Sequence, residues 1–255
     1  MATEFKNIIN HKRIYGALLM LLLWAYTTPL IAQPPAKKVL IDISHGQRFW
    51  NDPNKMDGKD ENLVKRIKYM TDEIVKTSTS VKREVGYVTG KIQSDQLATC
   101  DLLFIHLPSS KYAPDEIEAI KNYLQKGGSL FLVMDVDYWS TLEQTNVNDI
   151  VTPYGITFGN DSRDTLSGGY TKPGPLTGKK LKVTYHGARL VNGGTPFCFN
   201  NQSQEPFGTF IQLKNEGKIV AMGDGMASLY MTSWKDVNDY QCQELMQDIF
   251  AWLVK

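Results

Sequence analysis

"DEIEAIKNYLQKGGSLFLVMD", residues 115–135, is the stretch on which the reading of the fold turns. Ile117, Ile120, Tyr123 and Leu124 recur at helical spacing and define an inner face. Pro114, Asp115 and Glu116 suit the first turn, where proline has no N–H to satisfy and acids meet the positive end of the helix dipole. Gly127-Gly128 ends the helix, because glycine adopts the left-handed cap conformation without strain. "SLFLVMD" is then almost wholly apolar, as a strand covered on both faces is. Helix, glycine pair and buried strand in direct succession form half of a strand–helix–strand crossover.

The same alternation extends outward. Residues 38–43 make a continuous aliphatic run, the first central strand. Leu63, Val64, Ile67, Met70, Ile74 and Val75 place one face of a helix over 62–76 against a sheet, and strands follow at 84–88 and 101–107. The order β-α-β-β-α-β predicts a largely parallel sheet with right-handed crossovers and helices on both faces. Toward the C-terminus, 208–213 and 217–224 read as neighbouring strands turned at Asn215-Glu216-Gly217. A helix over 239–254 closes the chain, with Leu245, Ile249, Trp252 and Leu253 inward. Between them, 142–207 is crowded with turn signals, from Pro153 and Gly155 to "KPGP" and "NGG", and offers one clear strand at 181–185. It has too few apolar residues for its own core, so it is expected as a loop-rich insertion within a single domain spanning 38–255.

Residues 1–32 stand apart. Lys6, His11, Lys12 and Arg13 precede an apolar run over 17–32 that Thr27, Thr28 and Pro29 interrupt, short of the ~20 continuous apolar residues a spanning helix needs. This reads as a secretory signal cleaved near Ala32, with 33–37 a linker; a retained anchor is the other reading. The expectation is a periplasmic or secreted protein with no stable membrane insertion after cleavage. Loss of that segment takes the net charge from +1 to −1, which leaves no overall electrostatic handle for nucleic acid or an anionic membrane. Cys100, Cys198 and Cys242 are too few for a disulfide framework and lack a zinc-binding spacing. A Cys198–Cys242 bridge stands beside the plainer reading of three buried thiols.

In an open α/β sheet, ligands bind beyond the carboxyl ends of the strands. Applied here, that rule gathers His45 and Gln47 after the first strand, His106 and Ser109 at the third, Asp135 and Asp137 at the fourth, and Asp224 after the last. Trp50 and Tyr138, with Phe49, Trp139, Tyr230 and Trp234, follow the same ends and are placed to wall a cleft. His45, Asp135 and Asp224 are expected to share one solvent-reached cavity. Structural alternatives apply to each: His45 as a turn residue, His106 as a core histidine, Asp135 and Asp224 as caps accepting backbone N–H bonds. Asp42, inside the first strand, is tolerable only if paired. Neither an H-x-x-x-H pair nor a G-x-S-x-G elbow is present, so no catalytic residue, metal ligand or cofactor is assigned.

The succession "DISHG", "CDLLFIHLPS", the opening stretch, "PYGITF", "GKIVAMGDG" and "DIFAWL" resembles the class I glutamine amidotransferase-like superfamily over roughly 37–255. Within it the resemblance is to noncatalytic domains: those of DUF4350 proteins, the intraflagellar-transport N-terminal-like domain and gliding-associated transport components. It implies a flavodoxin-like sheet. Active members place a cysteine on a strained strand-to-helix elbow, where the helix dipole lowers its pKa. Asp135, Val136 and Asp137 stand where that nucleophile would follow the fourth strand, and no cysteine has such a setting. The resemblance therefore implies a noncatalytic module that binds a small polar ligand, such as a carbohydrate, or an envelope protein partner. A hydrolase built on His45, His106, Asp135 and Asp224, with or without metal, is the alternative.

Overall fold

The structure, a computed structural model, describes residues 37–47, 58, 60–164, 168–184, 188–215, 217–228 and 239–254. Residues 1–32, most of the expected linker, and Phe49, Trp50, Tyr230 and Trp234 lie outside the described residues. Ala36–Lys255 forms one unit, and every described residue belongs to it.

Strand β1 (Lys38–Asp42) pairs in parallel on one side with β2 (Glu84–Val88) and on the other with β3 (Cys100–His106). β3 pairs in parallel with β4 (Ser129–Val133), and β4 with the late strand β11 (Lys218–Met222). Period-two alternation splits the side chains between two cores. Val39, Ile41, Phe104 and Phe131 face one, and Leu40, Leu103, Leu130 and Leu132 face the other. The first core is covered by α1 (Glu61–Ser80) and the C-terminal α6 (Cys242–Val254), the second by α2 (Ser94–Leu97), α3 (Pro114–Gln125) and α4 (Val147–Val151). Each fully buried aliphatic or Phe side chain contributes about 1.5–3 kcal/mol, so these two layers carry the fold.

The opening stretch folds as its chemistry dictates. Pro114 occupies the first turn of α3, and Glu116 accepts the Ala113 N–H at 2.8 Å. Gly127 adopts φ +88°, the left-handed cap. Gly128 is needed for a different reason: a Cβ there would lie 2.2 Å from the Tyr123 ring, whose hydroxyl bonds both the N–H and the C=O of Ser129. Helix α1 runs a turn beyond the expected 62–76, because Ser78 and Thr77 are buried and the Ser78 hydroxyl donates to Ile74 O. Its start is capped by Asp60, which accepts from Leu63 N at 3.0 Å.

The broad α/β class holds, but the largely parallel sheet needs correction: the nine-stranded sheet is mixed, in the order β2-β1-β3-β4-β11-β10-β9-β6-β7. Its parallel half ends at β11. Beyond it β10 (Pro206–Gln212), β9 (Thr195–Asn200), β6 (Gly169–Thr171) and β7 (Lys182–Thr184) add on in antiparallel fashion. Physically, short strands joined by tight Gly and Pro turns can only return antiparallel, since a parallel return needs a long crossover. The expected insertion thus contributes strands as well as loops, including a separate pair of β5 (Ile156–Asp161) with β8 (Arg189–Gly193). Of its described residues, Leu181, Val183, Phe197 and Cys198 join the first main core. The expected β10–β11 pairing forms, closed by Leu213 N to Gly217 O at 2.7 Å.

Candidate functional site

The polar strand ends fold into two buried clusters. At the end of β1, the Asp42 carboxylate accepts five hydrogen bonds: from Ser44 N (2.9 Å) and Oγ (2.7 Å), His45 Nδ1 (2.9 Å), Gln47 Nε2 (2.7 Å) and Tyr112 Oη (2.8 Å). The His45 ring stacks on Tyr112 with centroids 3.9 Å apart, and its Nε2 lies 3.3 Å from the Glu116 carboxylate. Glu116 in turn accepts the N–H groups of Ile92 and Ala113, each at 2.8 Å. With a carboxylate on each side, both imidazole nitrogens donate, which is the protonated form. Burial opposes that charge, but the bond to Asp42 and the charges of Asp42 and Glu116 outweigh it and raise the His45 pKa. Burial likewise pushes Asp42 up, and the bond and charge of His45, with the Ser44 bonds, bring it below the usual carboxylate value.

The second cluster surrounds a short helix, α5 (Gly225–Ser228). Asp135, just past β4, accepts Val136 N at 2.7 Å and Gly225 N at 2.9 Å. Asp224, just past β11, accepts Met226 N and Ala227 N on Oδ1, while its Oδ2 is buried with no partner among the described residues. His106 Nε2 donates to Gly225 O at 3.2 Å. Burial dominates all three acidities. It pushes Asp135 up to about 7, raises Asp224 well above its ordinary value with help from the Asp135 charge, and lowers His106 to about 3, so that His106 is neutral.

The structure brings His106, Asp135 and Asp224 together around Gly225, and joins His45 and Gln47 to Asp42, Tyr112 and Glu116. His45, Asp135 and Asp224 are 6%, 2% and 0% exposed, so they sit inside the fold rather than on the wall of an open cleft. A groove of about 710 Å³ beside α3 has Tyr112 of the first cluster in its lining, and a cavity of about 300 Å³ lies at the opposite ends of the strands. Tyr138 is 76% exposed and packs edge-on against Trp139. Asp137 belongs to a feature that sequence reasoning missed. The buried Arg189 at the start of β8 donates to Asp135 O and Gly159 O at 2.8 Å, Asp137 Oδ1 at 2.5 Å and Ser140 O at 3.2 Å, and lies 3.3 Å from Asp161. The available signal was a lone arginine opening an otherwise apolar run, "ARLV".

All three cysteines are buried free thiols, so the Cys198–Cys242 bridge does not form. Burial pushes Cys100 up to about 12 and Cys198 well above its ordinary value, the reverse of activation. Among the described residues, no group of three His, Cys, Asp or Glu side chains is arranged to hold a metal ion, and no helix is long and apolar enough to cross a membrane.

Residues 62–170 match the family model described as the IFT52 GIFT domain. The mmIFT52 N-terminal domain superposes with a TM-score of 0.61 at 18% identity, covering 86% of this chain and 98% of that one. The fold is IFT52-like. The exo-β-1,4-mannosidase Op5Man5 from Opitutaceae bacterium strain TAV5 (TM-score 0.51, 10% identity) and the β-galactosidase from Rahnella sp. R3 (0.51, 10%) share it over 86% of this chain, which spans only 36% and 31% of their lengths. No curated protein matches in sequence. These comparisons carry the intraflagellar-transport part of the resemblance and give no support to its amidotransferase or DUF4350 parts. They also correct the periplasmic or secreted expectation, since both matches are to a domain of IFT52.

Proposed function

We propose that this chain is a noncatalytic α/β module that holds a protein partner. The observation that carries the reading is the closed hydrogen bonding at the first strand end. Both nitrogens of His45 and both oxygens of Asp42 are engaged by groups of the chain itself, which leaves no reactive atom for a substrate. The three thiols are buried, and Asp135 and Asp224 bind the backbone of α5. The IFT52-like fold supports a role within a protein complex over the capture of a small polar ligand or carbohydrate. Against the hydrolase alternative, His45, His106, Asp135 and Asp224 are all buried, and the described residues include no metal donor set.

The test has two arms. The purified protein is assayed against chromogenic esters and glycosides, with His45→Ala and Asp135→Asn alongside. In parallel, cross-linking in cells followed by mass spectrometry identifies bound proteins. The expected result is turnover at the buffer rate and a reproducible cross-linked partner. Turnover that disappears in a stably folded Asp135→Asn protein, or the absence of any partner, overturns the reading.

A further inference from the structure

Total charge conceals a local concentration of lysines in the insertion. "YTKPGPLTGKKLK", residues 170–182, spans the turn from β6 to β7. Tyr170 is registered opposite Phe199 on β9 and opposite Lys182 on β7, so these three form a row across neighbouring strands. Because strand side chains alternate with period two, Lys172 and Lys180 fall on the same face as that row. The other face, with Thr171, Leu181, Val183 and Cys198, is turned into the core.

The lysines stand over aromatic rings. Lys172 Nζ lies 3.8 Å from the Phe199 centroid, Lys180 Nζ 4.6 Å from that of Tyr170, and Lys182 Nζ 4.7 Å from that of Tyr240. Tyr170 and Phe199 stack on each other with centroids 6.0 Å apart. Lys179, in contrast, pairs with Glu244, whereas no carboxylate pairs with Lys172, Lys180 or Lys182 among the described residues. A cavity of about 290 Å³ opens between Tyr170, Lys180, Lys182, Asn201 and Gln241.

Lysines on an outer strand often serve only to repel strand addition. That explanation fails here, because the rim of β7 is already closed. Lys182 N donates to Gln241 Oε1 at 3.2 Å, Gln241 N donates to Lys182 O at 2.7 Å, and Cys242 Sγ donates to Val183 O at 2.9 Å. Three cations thus stand over rings beside a cavity with no carboxylate against them among the described residues.

We propose that this face of the β9–β6–β7 corner docks an acidic, extended segment of a protein partner, its carboxylates meeting Lys172, Lys180 and Lys182. A protein is favoured over nucleic acid because the chain carries a net charge of only +1 and the cations occupy one short hairpin, enough for a run of carboxylates and too few to track a phosphate backbone. The proposal rests on the partner-binding reading above and adds the chemistry of the partner.

The probe is a short fluorescein-labelled peptide of alternating Glu and Ser, titrated by fluorescence anisotropy. The variant is Lys172→Gln/Lys180→Gln/Lys182→Gln, with Lys111→Gln/Lys121→Gln as a charge-removing control at a distant groove. Three exposed pairs at roughly twofold to threefold each give an expected loss of about tenfold in affinity for the triple variant, with the control unchanged. Binding by the wild type should weaken as salt is raised. Equal losses in both variants, no loss in the triple variant, no binding by the wild type, or tighter binding of a DNA duplex of matched length overturns the proposal. The same triple variant in the cross-linking experiment separates the two readings: a partner that persists on the variant sinks this face and leaves the module reading standing, whereas peptide binding in the absence of any cellular partner does the reverse.

Discussion

Replacing Asp135 with asparagine should help or harm the fold depending on pH. Asp135 is almost fully buried, and burial raises its pKa from 3.8 to about 7. A carboxyl whose folded pKa is raised contributes stability that is fully present below its unfolded pKa and is lost as pH climbs through the folded value. The shift of about 3 units corresponds to about 4 kcal/mol in total, of which about 3 kcal/mol falls between about pH 5 and pH 8.5. Asparagine carries no charge at any pH, so it escapes this loss. It has one acceptor where the carboxyl has two, so either Val136 N–H or Gly225 N–H goes unbonded at a cost of about 1–2 kcal/mol. The variant should therefore be less stable than the wild type near pH 4, roughly equal to it near pH 5, and more stable near pH 8.5. Urea unfolding at a series of pH values measures this, and the difference between the two proteins cancels contributions from His45 and Asp42. A difference that stays flat across that range would refute the account of a carboxyl kept neutral by burial.

Other substitutions test the remaining architecture. His45→Ala leaves Asp42 and Glu116 facing each other as buried carboxylates without their shared cation, and should cost about 3–5 kcal/mol in a thermal or urea melt. Gly128→Ala drives a methyl into the Tyr123 ring and should cost about 1–3 kcal/mol, whereas Gly178→Ala, where nothing lies within 4 Å, should fall within about 0.5 kcal/mol of the wild type. Arg189→Met strands the carbonyls of Asp135, Gly159 and Ser140, so amide hydrogen exchange should rise first in β5 and β8. With all three thiols buried, a thiol reagent should label the native protein no faster than global unfolding permits.

The legibility of this sequence depended on the length scale of each signal. Strands β1, β3, β4 and β11 are each built on an apolar run, and α1, α3 and α6 repeat their apolar residues over several turns, so the apolar pattern alone located them. Strands β6 and β7 are three residues long, too short for any period, and their pairing is set by partners far along the chain. That is why the insertion read as loop and the sheet as largely parallel. At the strand ends, residue type showed where polar groups would gather but not what they would bond. The grouping of His106, Asp135 and Asp224 follows from neighbouring strand ends, which topology predicts. His45 instead turned toward Glu116, 71 residues away, and nothing local to "DISHG" names that partner. Arg189 was overlooked for the same reason, since its acceptors lie on three other segments.

Strand β11 lies beside β4 in parallel, yet Val133 and Lys218 are separated by the whole insertion. A chain emerging from the ribosome can pair β1 through β4 early, but the outer rim of β4 must then wait, with its hydrogen-bonding groups unmatched, until β11 is synthesised. Such distant pairings slow folding and expose sticky edges meanwhile. Temporary shielding of that rim, by a chaperone or by early condensation of the β9–β10 hairpin, would set how much of the newly made protein reaches its final form.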